Sequence, residues 1–416
     1  MLFTLLWSLV ASPLDVAANQ SWVGQEPRLR NWSAAEPADH VRLSLRHAGL
    51  YRVTATELAA ASGWSESDIL SAIGSADLAL ASQGETIAWL AAPDGESILF
   101  YGQPANTMFA PENVYWVTIG SAGHIMPSQA ASPPTGGSVN ESFTEKIKFQ
   151  GTNYLARQSY SSLTNTAFVG HTGVLTTGTN RIHSVNLPHV ATNNWEGSLT
   201  VELMSYYEGN RSNDDHEALI SLGGTVLGTA TWWGENNHNF TFPFSSTNLS
   251  AGATTLTIKN EGYWDFFISN LDHTRFICIS YTFEYQRRYQ AGDDRLLCRG
   301  GPGTTVTATG FSDQNLLVFN VTDPTVPQLL TGASTTFDPS SGTWDISFAA
   351  ADDSHHYYIA STDTAILEPA VRGVRNIDWG TVDSATDGGP DPPDRLEGRL
   401  PGRRSASGRL SQRQRH

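Results

Sequence analysis

The chain has 416 residues, room for two or three domains that each bury a core of their own. Hydrophobic residues make up 39% and aromatic residues 10%, which excludes a wholly disordered chain. A net charge of −16 excludes nucleic acid as a partner and disfavours anionic membrane surfaces, because both demand a basic protein face.

The chain opens on the apolar run Met1-Leu-Phe-Thr-Leu-Leu-Trp-Ser-Leu-Val-Ala, followed by small residues at Val16-Ala17-Ala18. Residues 1–18 read as a signal peptide and imply export to the periplasm, cell surface or medium, although the basic leading segment is absent. The alternative is a buried N-terminal strand or helix. No other stretch is apolar for long enough to span a membrane as a helix. Residues 19–37 are polar, hold Pro27 and Pro37, and read as a linker.

A small α+β domain is expected over 38–120. Val41-Arg-Leu-Ser-Leu-Arg46 alternates apolar with polar residues, as a half-buried strand does, and Tyr51-Arg-Val53 returns after a turn. Thr54-x-x-Glu57 is a capping box that should start a helix ending near Gly63. A second helix is expected from Ser65 to Gly74, then strands near 77–81, 86–91, 97–102 and 113–118, with Asp94-Gly95 as a tight turn. Residues 121–142, rich in Ser, Gly and Pro, read as a linker.

From 143 to 290 the pattern is all β and predicts a two-sheet sandwich of jelly-roll type. Gly223-Gly224 should turn a hairpin between Ala218–Leu222 and Thr225–Leu227. In Phe276–Tyr285, strict alternation puts Ile277, Ile279, Tyr281, Phe283 and Tyr285 on one face and Cys278 on the other. A smaller β domain is expected over 295–375, with a strand at Asn315–Val321, and with Ile346–Phe348 paired to Tyr357–Ala360. Residues 376–416 read as a linker and an Arg-rich, disordered tail. The segment 388–416 carries a net +4, which leaves −20 for the residues before it. So abrupt a switch means either a basic tail or a slipped reading frame. The fold class is thus mainly β and multi-domain.

Several segments together resemble the region that precedes the catalytic domain in gingipain-type, caspase-like secreted cysteine peptidases, whose relatives include the sortase-like subunit of type IX secretion. Val41–Thr54 is similar to that family's opening strand pair. Ile98-Leu-Phe-Tyr-Gly-Gln103 with Glu112-Asn-Val-Tyr-Trp116 resembles its "FYG … NVYW" signature. Asp272 with Tyr281–Tyr289 resembles the strand closing its sandwich, and Val318–Pro324 with Pro327 a "DVTDP…P" element. The resemblance covers about 40–387 and implies a peptidase domain beginning soon after Asp387, where this sequence turns Arg-rich. The family's catalytic His and Cys belong to that later domain, so no residue here inherits either role. The resemblance therefore favours the slipped frame and implies an inactive portion, truncated or frameshifted, of a cysteine endopeptidase. The other reading is an extracellular binding module or adhesin.

Within the chain, chemistry-bearing motifs are sparse. No G-x-S-x-G, H-E-x-x-H or Walker loop occurs, and the glycine-rich Arg299–Gly303 lacks the Lys that a phosphate loop needs. The two cysteines, Cys278 and Cys298, suit one disulfide or two inert thiols. Asn210–Glu217 gathers oxygen ligands, with Asn213, Asp214, Asp215 and Glu217 the candidates for Ca²⁺, against the reading of a solvated turn. Asp352-Asp-Ser-His-His356 is read as structural, since adjacent His residues on a strand face opposite ways. Trp232, Trp233, Tyr263 and Trp264 are candidates for a glycan platform, although consecutive Trp residues on a strand leave at least one in the core. No cofactor other than Ca²⁺ is suggested.

Overall fold

The structure is a computed structural model. It describes residues 38–105, 110, 112–151, 153–158, 165–171, 173–205, 216–234, 237–249, 252–262 and 275–375, with backbone alone over 153–158 and 165–169. The signal-peptide and linker readings over 1–37 and the tail reading over 376–416 lie outside the described residues.

Local rules account for the first part of the chain. Thr54 Oγ1 accepts from Glu57 N at 3.1 Å, and Glu57 Oε2 accepts from Thr54 N at 2.8 Å, so the capping box closes both ways. Such a cap contributes about 1 kcal/mol to the helix Ala55–Ser62. Gly63, at φ 75°, ends it in a conformation that a Cβ would penalise. A second helix, Glu66–Ser75, follows. Both pack under a five-stranded sheet in the order Ala370–Val374, His40–Leu45, Asn113–Ile119, Leu78–Ser82, Glu85–Thr86. A three-stranded sheet, Gly49–Thr54, Ser97–Gly102 and Trp89–Ala91, completes this layer. The strand expected over 86–91 is split in two. Between the pieces, the buried Ile87 and Ala88 carry the chain from the first sheet to the second.

The middle of the chain is a sandwich of two antiparallel four-stranded sheets. One runs Ser142–Gln150, Phe276–Arg288, Glu196–Ser205, Asn237–Ser245. The other runs Asn180–Asn186, Ala253–Asn260, His216–Leu222, Thr225–Trp232. Gly223 and Gly224, at φ 57° and 81°, form the expected hairpin turn. The alternation expected along Phe276–Tyr285 is corrected by a β-bulge. Glu202 pairs with Ser280 and Leu203 with Cys278, so Ile279 is an extra residue on its strand. Past the bulge the faces exchange. Phe276 and Cys278 therefore share the core with Tyr281, Phe283 and Tyr285, while Ile277 and Ile279 pack with Met204 on the far side.

The third part is again two sheets. Arg295–Arg299, His356–Ser361, Leu316–Asn320, Gln328–Thr331 and Ser128–Ala130 form one, and Ser334–Asp338, Thr343–Ala349, Thr305–Phe311 and Val139–Asn140 the other. Two edge strands come from 121–142, both pairing in parallel with their neighbours. Ile346–Phe348 and Tyr357–Ala360, expected to pair, lie in different sheets. They meet face to face across the core, with the Phe348 and Tyr357 rings 5.1 Å apart. The sheet containing His356–Ser361 is buried on both sides. Tyr357 and Ile359 face its partner sheet, while Tyr358 and Ala360 face Leu50, Leu99 and Tyr101 of the N-terminal part. The architecture is mainly β, and among the described residues α-helix occurs only in the N-terminal α+β part.

Candidate functional site

Neither cysteine is placed to act as a nucleophile. Cys278 is 2% exposed, and burial followed by the Glu202 carboxylate pushes its thiol up to about 12. Cys298 is buried in a different core, and burial raises its thiol further. A thiolate nucleophile needs the opposite shift and an accessible pocket. Both cysteines are free thiols, and they lie in separate cores.

The glycine-rich loop is held from beneath by the buried Asn140. Its Oδ1 accepts from Gly303 N at 2.7 Å, and its Nδ2 donates to the carbonyls of Gly303 and Thr305 at 3.1 and 3.2 Å. The loop borders a polar cleft of about 540 Å³ that also takes in Glu141, Thr144, Gln286 and Asp353. Its amides are spent on Asn140 and on backbone, which leaves no cradle aimed at a phosphate. A second cleft, about 430 Å³, is lined by the amides of Gln129, Asn320 and Gln328 with His355 and Tyr357.

Of the calcium candidates, Asn213, Asp214 and Asp215 lie outside the described residues. Glu217 is half-buried on His216–Leu222, opposite Thr231. In the second cluster, Asp352 Oδ1 accepts from Ser354 N at 3.1 Å and meets His355 Nδ1 at 3.0 Å. The Ser354 hydroxyl, then His355, hold that carboxyl below its usual range. The cluster closes on itself as a turn. Among the described residues no group of three or more His, Cys, Asp or Glu side chains is placed to hold a metal ion.

The paired tryptophans part company. Trp232 is 3% exposed and stacks on His216 with ring centroids 4.9 Å apart. Trp233 is 45% exposed one residue past the strand that ends at Trp232, next to Gly234 at φ 85°. Tyr263 and Trp264 lie outside the described residues.

One cluster was not foreseen. His171 stacks on Tyr281 at 5.1 Å, and His183 meets both rings, at 4.7 Å from His171 and 5.1 Å from Tyr281. His183 Nε2 is buried without a hydrogen-bond partner. Burial, then His171 and Arg181, lower His183 to about 4, and burial lowers His171. No spacing signals this cluster, because its members come from a hairpin end and from two facing sheets. The solvent-facing side of the first sheet was also passed over. There Arg42 lies directly between Arg372 and Trp116.

No known family profile matches this chain, and no curated protein does. Among solved structures, dimeric latent PorU from Porphyromonas gingivalis matches with a TM-score of 0.59 at 10% identity. The match covers 82% of this chain and 33% of PorU. A β-porphyranase of glycoside hydrolase family 86 from Bacteroides plebeius matches at a TM-score of 0.21 and 7% identity, over 51% of this chain and 30% of that one. The insecticidal δ-endotoxin Cry8Ea1 from Bacillus thuringiensis matches at 0.22 and 10%, over 60% and 42%. Scores that low carry no argument. The likeness to PorU is one of fold alone, and this chain spans about a third of PorU's length.

Proposed function

We propose that this chain is the non-catalytic N-terminal portion of a gingipain-related secreted cysteine peptidase, and that it supports or positions a peptidase domain absent from it. The observation that carries the reading is the extent of the fold match, 82% of this chain but only 33% of PorU. The burial of Cys278 and Cys298 supports it, since neither thiol is available as a nucleophile. In this reading 38–120, 143–290 and 295–375 are the domains of the accessory region, and the chain is exported. Resequencing the gene and translating every frame downstream of the Asp387 codon tests it. A shifted frame that runs into an α/β domain with a Gly-flanked His and a later Cys is the expected result. A frame open only to His416 counts against it. So does hydrolysis of a peptide panel that is abolished by Cys278→Ala or Cys298→Ala.

The second reading, an extracellular module that binds carbohydrate, is favoured by one observation, the exposure of Trp233 at the end of the sandwich. Glycan-array signal lost in Trp233→Ala supports it, and a flat array counts against it.

A further inference from the structure

The five-stranded sheet that begins the fold buries one face and leaves the other to solvent. Val41, Leu43, Leu78, Leu80, Tyr115 and Val117 point into the core. The alternate positions form a second surface, none of whose side chains enters any buried apolar cluster. At its centre one cross-strand row runs Arg372, Arg42, Trp116, Ala81, each directly opposite the next. Trp116 is 38% exposed, held edge-on to the His40 ring at 6.4 Å.

Two features of this row lack a folding rationale. Like charges directly opposite on antiparallel strands destabilise a sheet, yet Arg42 faces Arg372 and neither makes an ion pair among the described residues. In addition, Arg42 Nε is buried without an acceptor. No outward position on Ala370–Val374, His40–Leu45, Asn113–Ile119 or Leu78–Ser82 is acidic, in a chain with 41 acidic and 25 basic residues. Two uncompensated guanidiniums beside a flat indole call for a carboxylate next to a flat apolar ring. Guanidiniums grip carboxylates through paired N–H donors, and the Trp face offers apolar contact at low entropic cost. A strand-adding peptide would seek a sheet edge with its free backbone groups, and this row lies on a sheet face.

We propose that this face binds an acidic polysaccharide, a chain of uronic acid residues, with a sugar ring on Trp116 and its carboxylate on Arg42 and Arg372. The site is independent of the accessory-region reading and of Trp233.

The test is binding of the full 416-residue chain to sodium polygalacturonate by titration calorimetry, with methyl-esterified polygalacturonate and poly-L-glutamate as comparators. Binding to polygalacturonate should weaken with added salt and fall at least tenfold in both Trp116→Ala and Arg372→Gln. The esterified polymer and poly-L-glutamate should bind at least tenfold more weakly. Arg372→Gln should melt no lower than the parent, since it relieves a repulsion, so its loss of binding is not loss of fold. The proposal is overturned if polygalacturonate does not bind, if both variants bind as the parent does, or if the esterified polymer binds equally. Equal binding of poly-L-glutamate through the same residues would make the face an acidic-polypeptide dock instead.

Discussion

Tyr101 and Tyr358 meet with ring centroids 5.3 Å apart and planes inclined at 57°, although one belongs to the N-terminal part and the other to the last β part. Each is 3% exposed, and Leu50, Met126 and Phe319 close around them. The contact makes the sheet containing His356–Ser361 apolar on both faces. The return of Ala370–Val374 to the first sheet, beside His40–Leu45, ties the same two parts a second time. Tyr101→Ala should therefore cost about 3–5 kcal/mol, the usual penalty for deleting a buried aromatic ring. Urea unfolding followed separately through each part should show both transitions shifting together. A shift confined to one part would show that the shared core does not couple them.

The histidine cluster predicts a pH dependence with a definite sign. His183 is lowered to about 4, chiefly by burial, from an ordinary 6.5. A group that binds its proton less well in the fold contributes stability that is complete above 6.5. That contribution is lost as pH falls from there towards 4. The loss should be about 1–3 kcal/mol, allowing for partial solvent access. Comparing the parent with His183→Asn at pH 7 and pH 4.5 isolates it from the carboxylates that titrate in the same range. The parent should lose more stability than the variant.

Thiol accessibility distinguishes the arrangement of the two cysteines. With both buried and free, a thiol reagent should find almost none in the native protein and both after unfolding in guanidinium without reductant. A chain that yields no thiols after unfolding would contain the disulfide.

Asn140 offers a further check, because a single side chain satisfies three backbone groups of the glycine-rich turn. Asn140→Ala removes all three bonds, leaving the part-buried N–H and carbonyl of Gly303 and the buried Thr305 carbonyl without this partner. The expected cost is about 3 kcal/mol, with faster amide exchange at Gly303 as the local signature.

What could be read from the sequence was local. The capping box of Thr54 and Glu57, the Gly63 stop and the Gly223-Gly224 hairpin depend on neighbours within a few residues, so their chemistry is written in order along the chain. Composition and two-residue periodicity were enough for a mainly β fold, because half-buried strands must alternate. Alternation required at least one of the two tryptophans to be in the core, and the structure makes it Trp232, leaving Trp233 exposed just past the strand.

Tertiary structure decided whatever depends on register between distant strands. The extra Ile279 exists only relative to the pairing of Glu202 and Leu203 across the ladder, and it alone brings Cys278 into the sandwich core. Phe348 and Tyr357 are close in sequence yet lie in opposed sheets, a choice made by the strands beside them. Nothing near Arg42 announces that Arg372 will lie opposite it, because that pairing is made when the last described strand returns to the first. Hydrogen bonding and burial act through space, so a sequence determines which residues favour a sheet, whereas only the folded chain determines which of them face each other.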